Sequence, residues 1–499
     1  MFNFNKSIMK RINYKNSIAA LLLLSLLVGI GACKKSFLEE SVRNQTPADF
    51  FANPDAPEQL VTAVYNQLYE WQQHSFSWIG ITSIADDDAE KGSDPGDTGT
   101  DKDQMDKFTF TSSSLSFNDI WESNFKGIAR ANQALFYLPQ FNNLTPEKKT
   151  RFIGEVKFLR AYYYWNLVRT FGGVPKSDKL IQTQEEIKQA NVRVSAEEIY
   201  AFIKQDLNEA LVALPSSYDA DNAGRATRGA CIGLLAKVAL YQKDWAIAKN
   251  YSEQLIGSST YSLTPNYAMI WRESGEFNSE SIWEINGKGT DPNKGLIGYF
   301  VVQAPRGAGG LGWGFNIPSQ KLVDAYEPGD VRKDATIIFA GQTLWDGFPV
   351  NPGAPNPRYN YKAYISKTLE TFNGNDNETN KNLRVLRLGE MYLIHAEACT
   401  ELGDTAKARV SLNTLRNRAG LNPTPAIGVD EMREAVYKER RVEMAFEHDR
   451  LFDLRRTGRA GKVLRAAGIP FVDGKHELYP IPQRQIDLSG GLLIQNLGY

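Results

Sequence analysis

Residues 236–255, AKVALYQKDWAIAKNYSEQL, read as one helix, a turn at Lys243-Asp244 and a second helix. Residues 396–415, AEACTELGDTAKARVSLNTL, repeat that pattern. Ala236, Asp244, Ala248 and Leu255 line up with Ala396, Asp404, Ala408 and Leu415, while Leu402 stands two places later than the match to Leu240 requires. In each copy a small residue falls four positions after the aspartate, where it lets two helices approach closely. A helical hairpin met twice predicts a stack of such hairpins, because one pair alone cannot bury its apolar face.

The spacing resembles a tetratricopeptide hairpin. Working outward, four helix pairs are expected, split by an insertion. Trp121, Phe125, Ile128, Leu135 and Leu138 recur at helical spacing, with Asn132 as a buried polar exception. Val156, Leu159, Tyr163, Leu167 and Phe171 mark the next helix, stopped by Gly172-Gly173-Val174-Pro175, and the two should pack as a hairpin. Ser195-Ala196-Glu197-Glu198 is a capping box, flanked by Val194 and Ile199 as a hydrophobic staple, and opens a helix running to Pro215. Thr46-Pro47-Ala48-Asp49 is a further helix start. The insertion, residues 261–382, is rich in Gly, Pro, Asn and aromatics, with strand-like runs at Ile282-Trp283-Glu284-Ile285 and Tyr299-Phe300-Val301-Val302. A second loop segment, residues 70–117, carries the aspartate-rich stretch Asp86 to Asp103, read as solvated turns. Irregular segments on a regular scaffold are where binding residues concentrate.

The chain opens with Lys6, Lys10, Arg11 and Lys15, then an apolar run from Leu21 to Ile30, then Gly31-Ala32-Cys33. That reads as a signal peptide over residues 1–32. Small residues before a cysteine resemble a bacterial lipobox, so Cys33 is the expected lipid-attachment site and 33–45 a lipidated tether; an ordinary secretory signal with a bystander cysteine is the other reading. Residues 46–499 are then a single body. Without the signal, 53 basic residues face 58 acidic ones, which is no footprint for nucleic acid. Cys231 and Cys399 sit in apolar helical patterns and read as buried free thiols.

Several motifs tempt. Gly307-Ala308-Gly309-Gly310-Leu311-Gly312 spells a dinucleotide fingerprint, but Trp313-Gly314-Phe315-Asn316-Ile317-Pro318 cannot continue as the helix whose N-terminus would face a pyrophosphate. The aspartates of 86–103 could ligate calcium, yet lack the glycine and terminal glutamate of a helix-loop-helix site. His74, His395, His448 and His476 show no zinc spacing. Glu439, Glu443 and Glu447, at i, i+4 and i+8 on an expected 431–447 helix, could act as a glycosidase pair. Arg440, Arg441, Arg450, Arg455 and Arg456 lie close by, and cations around like charges favour a structural ion network. No cofactor is expected.

Phe37-Leu38-Glu39, Thr46 to Phe51, Trp121 with Gly127-Ile128-Ala129-Arg130-Ala131-Asn132, and Glu155 to Tyr164 closing on Phe171-Gly172-Gly173-Val174-Pro175 occur in order. Ala396-Glu397-Ala398, Asn413 to Gly420, Glu439-Arg440-Arg441-Val442-Glu443, Phe452-Asp453-Leu454-Arg455-Arg456, Pro480-Ile481-Pro482 and Gln495 to Tyr499 follow. Together they resemble the SusD/RagB family of surface lipoproteins. The resemblance implies a mainly α, SusD-like fold: a tetratricopeptide-like α-α superhelix bearing an irregular, loop-rich ligand-binding half. It implies binding without catalysis, an oligosaccharide (or peptide) as ligand, and a SusC-like TonB-dependent transporter as partner at the outer membrane, with the chain facing the exterior. Ligand loops vary across the family, so the site candidates rest on chemistry and loop position. They are Trp78, Asp87 and Asp88 in the first loop and Tyr299, Trp313 and Asn316 in the second. Aromatics would stack on sugar rings and Asp or Asn would pair with hydroxyls, unless Trp78 and Trp313 only pack loops onto the scaffold. The alternatives are a glycoside hydrolase using the 431–447 carboxylates and a tetratricopeptide adaptor with no small ligand.

Overall fold

The computed structural model describes residues 47–97, 100–287, 296, 298–307, 310–372 and 379–499. The expected signal, Cys33, the tether and Thr46 lie outside the described residues. The chain divides into two compact units, Met1–Ala56 and Pro57–Tyr499. In the first, Pro47–Ala52 is helical with Asp49 in its first turn.

In the second unit, eight helices among the described residues form the scaffold: α1 Leu115–Tyr137, α2 Pro146–Phe171, α3 Ala196–Ala213, α4 Arg228–Tyr241, α5 Trp245–Ile256, α6 Leu388–Glu401, α7 Thr405–Arg418 and α8 Val429–Glu443. Each packs against the next. The repeated hairpin is α4–α5 and α6–α7, and in both the aspartate caps the second helix: Asp244 Oδ1 accepts from Ile247 N at 3.4 Å and Asp404 Oδ1 from Lys407 N at 3.1 Å. An aspartate there satisfies a first-turn amide that has no partner within its helix. Ala248 and Ala408 are fully buried, as close helix approach requires. α5 packs directly on α6, so the intervening insertion leaves and rejoins the stack without interrupting it.

The α1–α2 contact depends on Gly127, where an added Cβ would stand 2.5 Å from the Tyr163 ring. Asn132 is the satisfied buried amide that the stripe predicts. It accepts from Arg160 Nη1 at 2.7 Å and donates to the Ser177 and Lys179 carbonyls at 3.0 Å each, while Arg160 pairs with Asp206 of α3 at 2.7 Å. Three helices are locked through one guanidinium. Ser195 caps α3 by accepting from Glu198 N at 3.2 Å. Cys231 and Cys399 are buried free thiols, and among the described residues no helix is long and apolar enough to cross a membrane.

The insertion carries its own small core of Tyr267, Ile270, Trp271, Ile338, Tyr359 and Tyr364. Strands are short and paired antiparallel: β1 Ala89–Gly92 with β3 Phe315–Pro318, β2 Ser281–Ile285 with β6 Leu383–Arg387, and β4 Ile337–Phe339 with β5 Arg358–Asn360. The run at 282–285 is a strand as expected. The run at 299–302 is not: Tyr299–Gln303 is a short helix entered through left-handed Gly298. Four apolar residues suit either period, and here the Val302 amide bonds to the Gly298 carbonyl at 3.0 Å rather than to a neighbouring strand. Nor is 70–117 a plain loop. Phe76 to Ala85 is buried core, and α1 already begins at Leu115.

Candidate functional site

Pairing of β1 with β3, in register Gly92↔Phe315, stitches the first loop segment to the second. Ser93 N donates to the Gly314 carbonyl at 2.6 Å just beyond it. This seam brings Trp71 against Trp313, with ring centroids 5.8 Å apart and planes at 45°. Both are half-buried, so each ring is held from behind and keeps part of its surface in solvent. Phe76 meets Trp313 edge-on at 6.1 Å and Phe315 at 4.7 Å, and Lys102 Nζ lies 4.3 Å from the Phe76 centroid. A rigid aromatic pair open on one side suits stacking on a flat, weakly polar ligand face.

Polar groups flank this pair. Arg306 Nη1 donates to Ser93 Oγ at 2.6 Å, pairs with Asp97, and reaches the Trp313 carbonyl at 3.4 Å. Ser93 and Lys91 also hold Asp97, through its carboxylate and its backbone carbonyl (3.0 Å) respectively. The hydrogen bond from Ser93 leads in keeping the Asp97 carboxyl below its ordinary pKa. Arg306 and Asp97 remain about one-third exposed, so both can offer hydrogen bonds outward.

Of the six residues expected from sequence, Trp313 alone keeps exposed surface. Trp78 is 2% exposed, 6.1 Å from His74 and 6.4 Å from Phe452, with the Arg169 guanidinium 5.2 Å from its ring. Tyr299 shares its hydroxyl with His448 Nε2 at 2.7 Å, and Asn316 donates to Gln303 at 2.7 Å inside the protein. Asp87 and Asp88 are drawn inside as well, against the expectation of solvated turns. Arg450 Nε donates to Asp87 at 2.8 Å, and Arg441 pairs with Asp87 at 2.9 Å and with Asp88 at 2.6 Å. These five side chains present almost no atoms to a ligand. For Asp88 and Tyr299 the partners lie far along the chain, Arg441 at 353 positions and His448 at 149, whereas Asn316 meets Gln303 only 13 positions away.

Asp86, Asp87 and Asp88 place carboxylate oxygens within 4.8 Å of one another. Burial and the neighbouring Asp88 and Asp87 push the Asp86 carboxyl well above its usual range. Burial pushes on Asp87 too, but Arg450 and Arg441 outweigh it and hold the group below its ordinary value. The guanidiniums thus already supply the positive charge that a cation would bring.

The glutamate row is an ion network, although its cations are not those expected. Glu443 accepts from Arg387 at 2.6 Å, from Arg332 at 2.9 Å and from Arg418. Glu439 pairs with Arg332 at 2.6 Å and Arg416 at 3.1 Å, and Glu447 with Arg387 and Lys362 at 2.7 Å each. Burial alone would raise the Glu443 pKa, but Arg418, Arg387 and Arg332 hold it well below the carboxylate range. Arg440 and Arg456 instead serve Glu390, Glu397 and Asp453. α8 ends at Glu443, so Glu447 lies past the helix and the three do not share one helical face. Glu443, held by three buried guanidiniums, has neither a proton to give nor a free lone pair for attack.

Trp71 and Arg306 escaped the sequence reading. Trp71 sits at the very start of the first loop segment and Arg306 beside a glycine run, and only the β1–β3 pairing reveals what they meet. An arginine next to a glycine-rich aromatic loop was the available signal.

Residues 279–499 match the SusD family, and residues 36–240 match a family described as starch-binding and associating with the outer membrane. A solved laminarin-binding SusD-like protein is 30% identical, with TM-score 0.76 over 90% of this chain and 100% of its own. Surface glycan-binding protein A from Bacteroides thetaiotaomicron, solved in complex with laminarihexaose, is 26% identical, with TM-score 0.74 over 89% of this chain and 99% of its own. SusD-like protein P25 of Formosa agariphila is 27% identical over 420 residues, 76% of this chain and 78% of that protein. The family is one of binding proteins rather than enzymes, in keeping with the neutralised glutamates. With its hairpin stack, its insertion and these matches spanning both halves, the chain belongs to the SusD/RagB family.

Proposed function

We propose that this protein is a cell-surface lipoprotein, tethered through Cys33, that captures an oligomeric glycan and delivers it to a TonB-dependent transporter in the outer membrane. The observation that carries the binding part is the half-buried Trp71–Trp313 pair flanked by the partly exposed Arg306 and Asp97. Sugar rings present C–H faces to aromatics and hydroxyls to charged groups, so this combination fits a saccharide. The laminarihexaose complex of the similar Bacteroides protein supports a glucan as the first ligand to try. Delivery and tethering rest on the family and on the lipobox reading of residues 30–33.

Isothermal titration of the mature chain with laminarihexaose and with maltohexaose tests the reading. Trp313→Ala is expected to weaken binding about tenfold or more, since an aromatic contact of this kind contributes roughly 0.5–1.5 kcal/mol beyond the area it buries. Equal affinity for the variant would remove Trp313 from the site. Release of reducing ends by the wild type, abolished in Glu443→Gln, would overturn the non-catalytic reading.

A further inference from the structure

We infer that Gly298 is the positioning residue of the aromatic platform: by carrying no side chain it sets how the Trp71 ring faces Trp313. The inference rests on the binding reading above and deepens it, since it names what fixes the two rings relative to each other.

Gly298 enters the short helix Tyr299–Gln303 in the left-handed region, at φ +74°. The six-membered ring of Trp71 lies directly on it. A Cβ at Gly298 would collide with Cζ3 of that ring and stand 2.7 and 2.8 Å from its Cη2 and Cε3. Trp71 is therefore seated on bare backbone, and from that seat it holds its 5.8 Å, 45° relation to Trp313.

A collision can be relieved by moving the helix or by moving the ring, and the bonding of the helix decides which. All five of its residues are buried. Thr82 Oγ1 donates to the Trp78 carbonyl at 2.7 Å, so it accepts from His448 Nδ1 at 2.8 Å, and His448 Nε2 is left to accept from the Tyr299 hydroxyl at 2.7 Å. Gln303 Oε1 accepts from Asn316 Nδ2 at 2.7 Å and from Asn360 Nδ2 at 2.9 Å. The helix is thus pinned at both ends. Trp71 is half-buried with part of its ring in solvent, so the ring is what gives way. The same helix also holds the second ring, because the Val301 carbonyl accepts from Trp313 N at 2.9 Å. Displacing Trp71 then changes the geometry of the pair instead of carrying both rings together. Tyr299, expected from sequence to touch the ligand, acts beneath the platform as an anchor.

Titration calorimetry of the full mature chain with laminarihexaose and maltohexaose, combined with thermal melts, tests the inference. Gly298→Ala is expected to weaken binding about tenfold, as Trp71→Ala does. The double variant should bind no more weakly than Trp71→Ala alone, because the alanine then has no ring to displace. The melts read the collision without any ligand. Alanine in a left-handed position is strained in every background, so the fall in melting temperature should be larger beside Trp71 than in Trp71→Ala. A Gly298→Ala chain that folds only when Trp71 is also replaced would show the same collision. Wild-type affinity in Gly298→Ala, with Trp71→Ala and Trp313→Ala both weakened, would overturn the positioning role and leave the proposed function standing. Losses that multiply in the double variant, or an equal fall in melting temperature in both backgrounds, would overturn it too. Unchanged affinity in both Trp71→Ala and Trp313→Ala would overturn the platform itself.

Discussion

Glu276 is a carboxyl placed where its charge is costly. Burial raises its pKa to about 7, even though Arg384 lies 3.7 Å away and Asn382 N donates to it at 2.6 Å. A folded-state pKa above the unfolded value means that the native state holds the proton more tightly. The resulting stabilisation is complete below about pH 4.5 and is lost as pH rises through about 7. Gln mimics the protonated form and keeps the Asn382 contact. Glu276→Gln should therefore gain on the wild type by up to ~3 kcal/mol between pH 5 and pH 8.5 in urea denaturation. A difference that does not change with pH would show that Glu276 titrates normally. Trp313 shows the same dependence on surroundings at this scale: beside Trp71 and Phe76 it is a supported platform, and alone on its loop it would be a mobile ring.

Among the elements, α8 and the end of β6 are joined by charge. Arg387 closes β6 and reaches Glu443 of α8, Glu447 beyond it and Glu280 just before β2, at 2.6, 2.7 and 2.9 Å. Glu443 and Glu280 are fully buried, so removing the guanidinium leaves two charges that water cannot reach to Arg332 and Arg418 alone. Breaking such a pair from one side typically costs about 3–5 kcal/mol, although replacing the whole cluster by apolar residues need cost nothing. Arg387→Met is accordingly expected to lower unfolding free energy by that amount, measured by chemical denaturation at neutral pH. A loss below about 1 kcal/mol would mean that the remaining Arg332 and Arg418 suffice. Within the motif Glu439-Arg440-Arg441-Val442-Glu443, Glu439 and Glu443 face Arg332 of the insertion, Arg440 faces Glu390 and Asp453, Arg441 faces Asp87 and Asp88, and Val442 packs in the core.

At the scale of the whole molecule, the hairpin stack lets a long irregular segment be inserted without disturbing the scaffold, because α5 and α6 pack on each other whatever lies between them in sequence. The insertion then folds on its own small core and presents the aromatic loop. In the proposed function, Cys33 keeps this assembly beside a transporter. A Cys33→Ala chain should bind glycan in solution with unchanged affinity yet fail to support uptake by cells. Full uptake by that variant would sink the tethered-capture reading.

The sequence by itself determined the helices, their stops and their repeat, because these depend on residues three, four and seven apart and on caps within one turn. Ala248 and Ala408, Ser195, Gly172 and the stripe from Trp121 to Leu138 were legible for that reason. It also marked both loop segments and Trp313. Only the tertiary structure decided that Asp87 and Asp88 are buried beneath Arg441 and Arg450, that Tyr299 turns inward to His448, and that Trp71 is the partner of Trp313. The first two depend on groups 353 and 149 positions apart meeting in space, and the third on a four-residue strand pairing whose register no local pattern specifies.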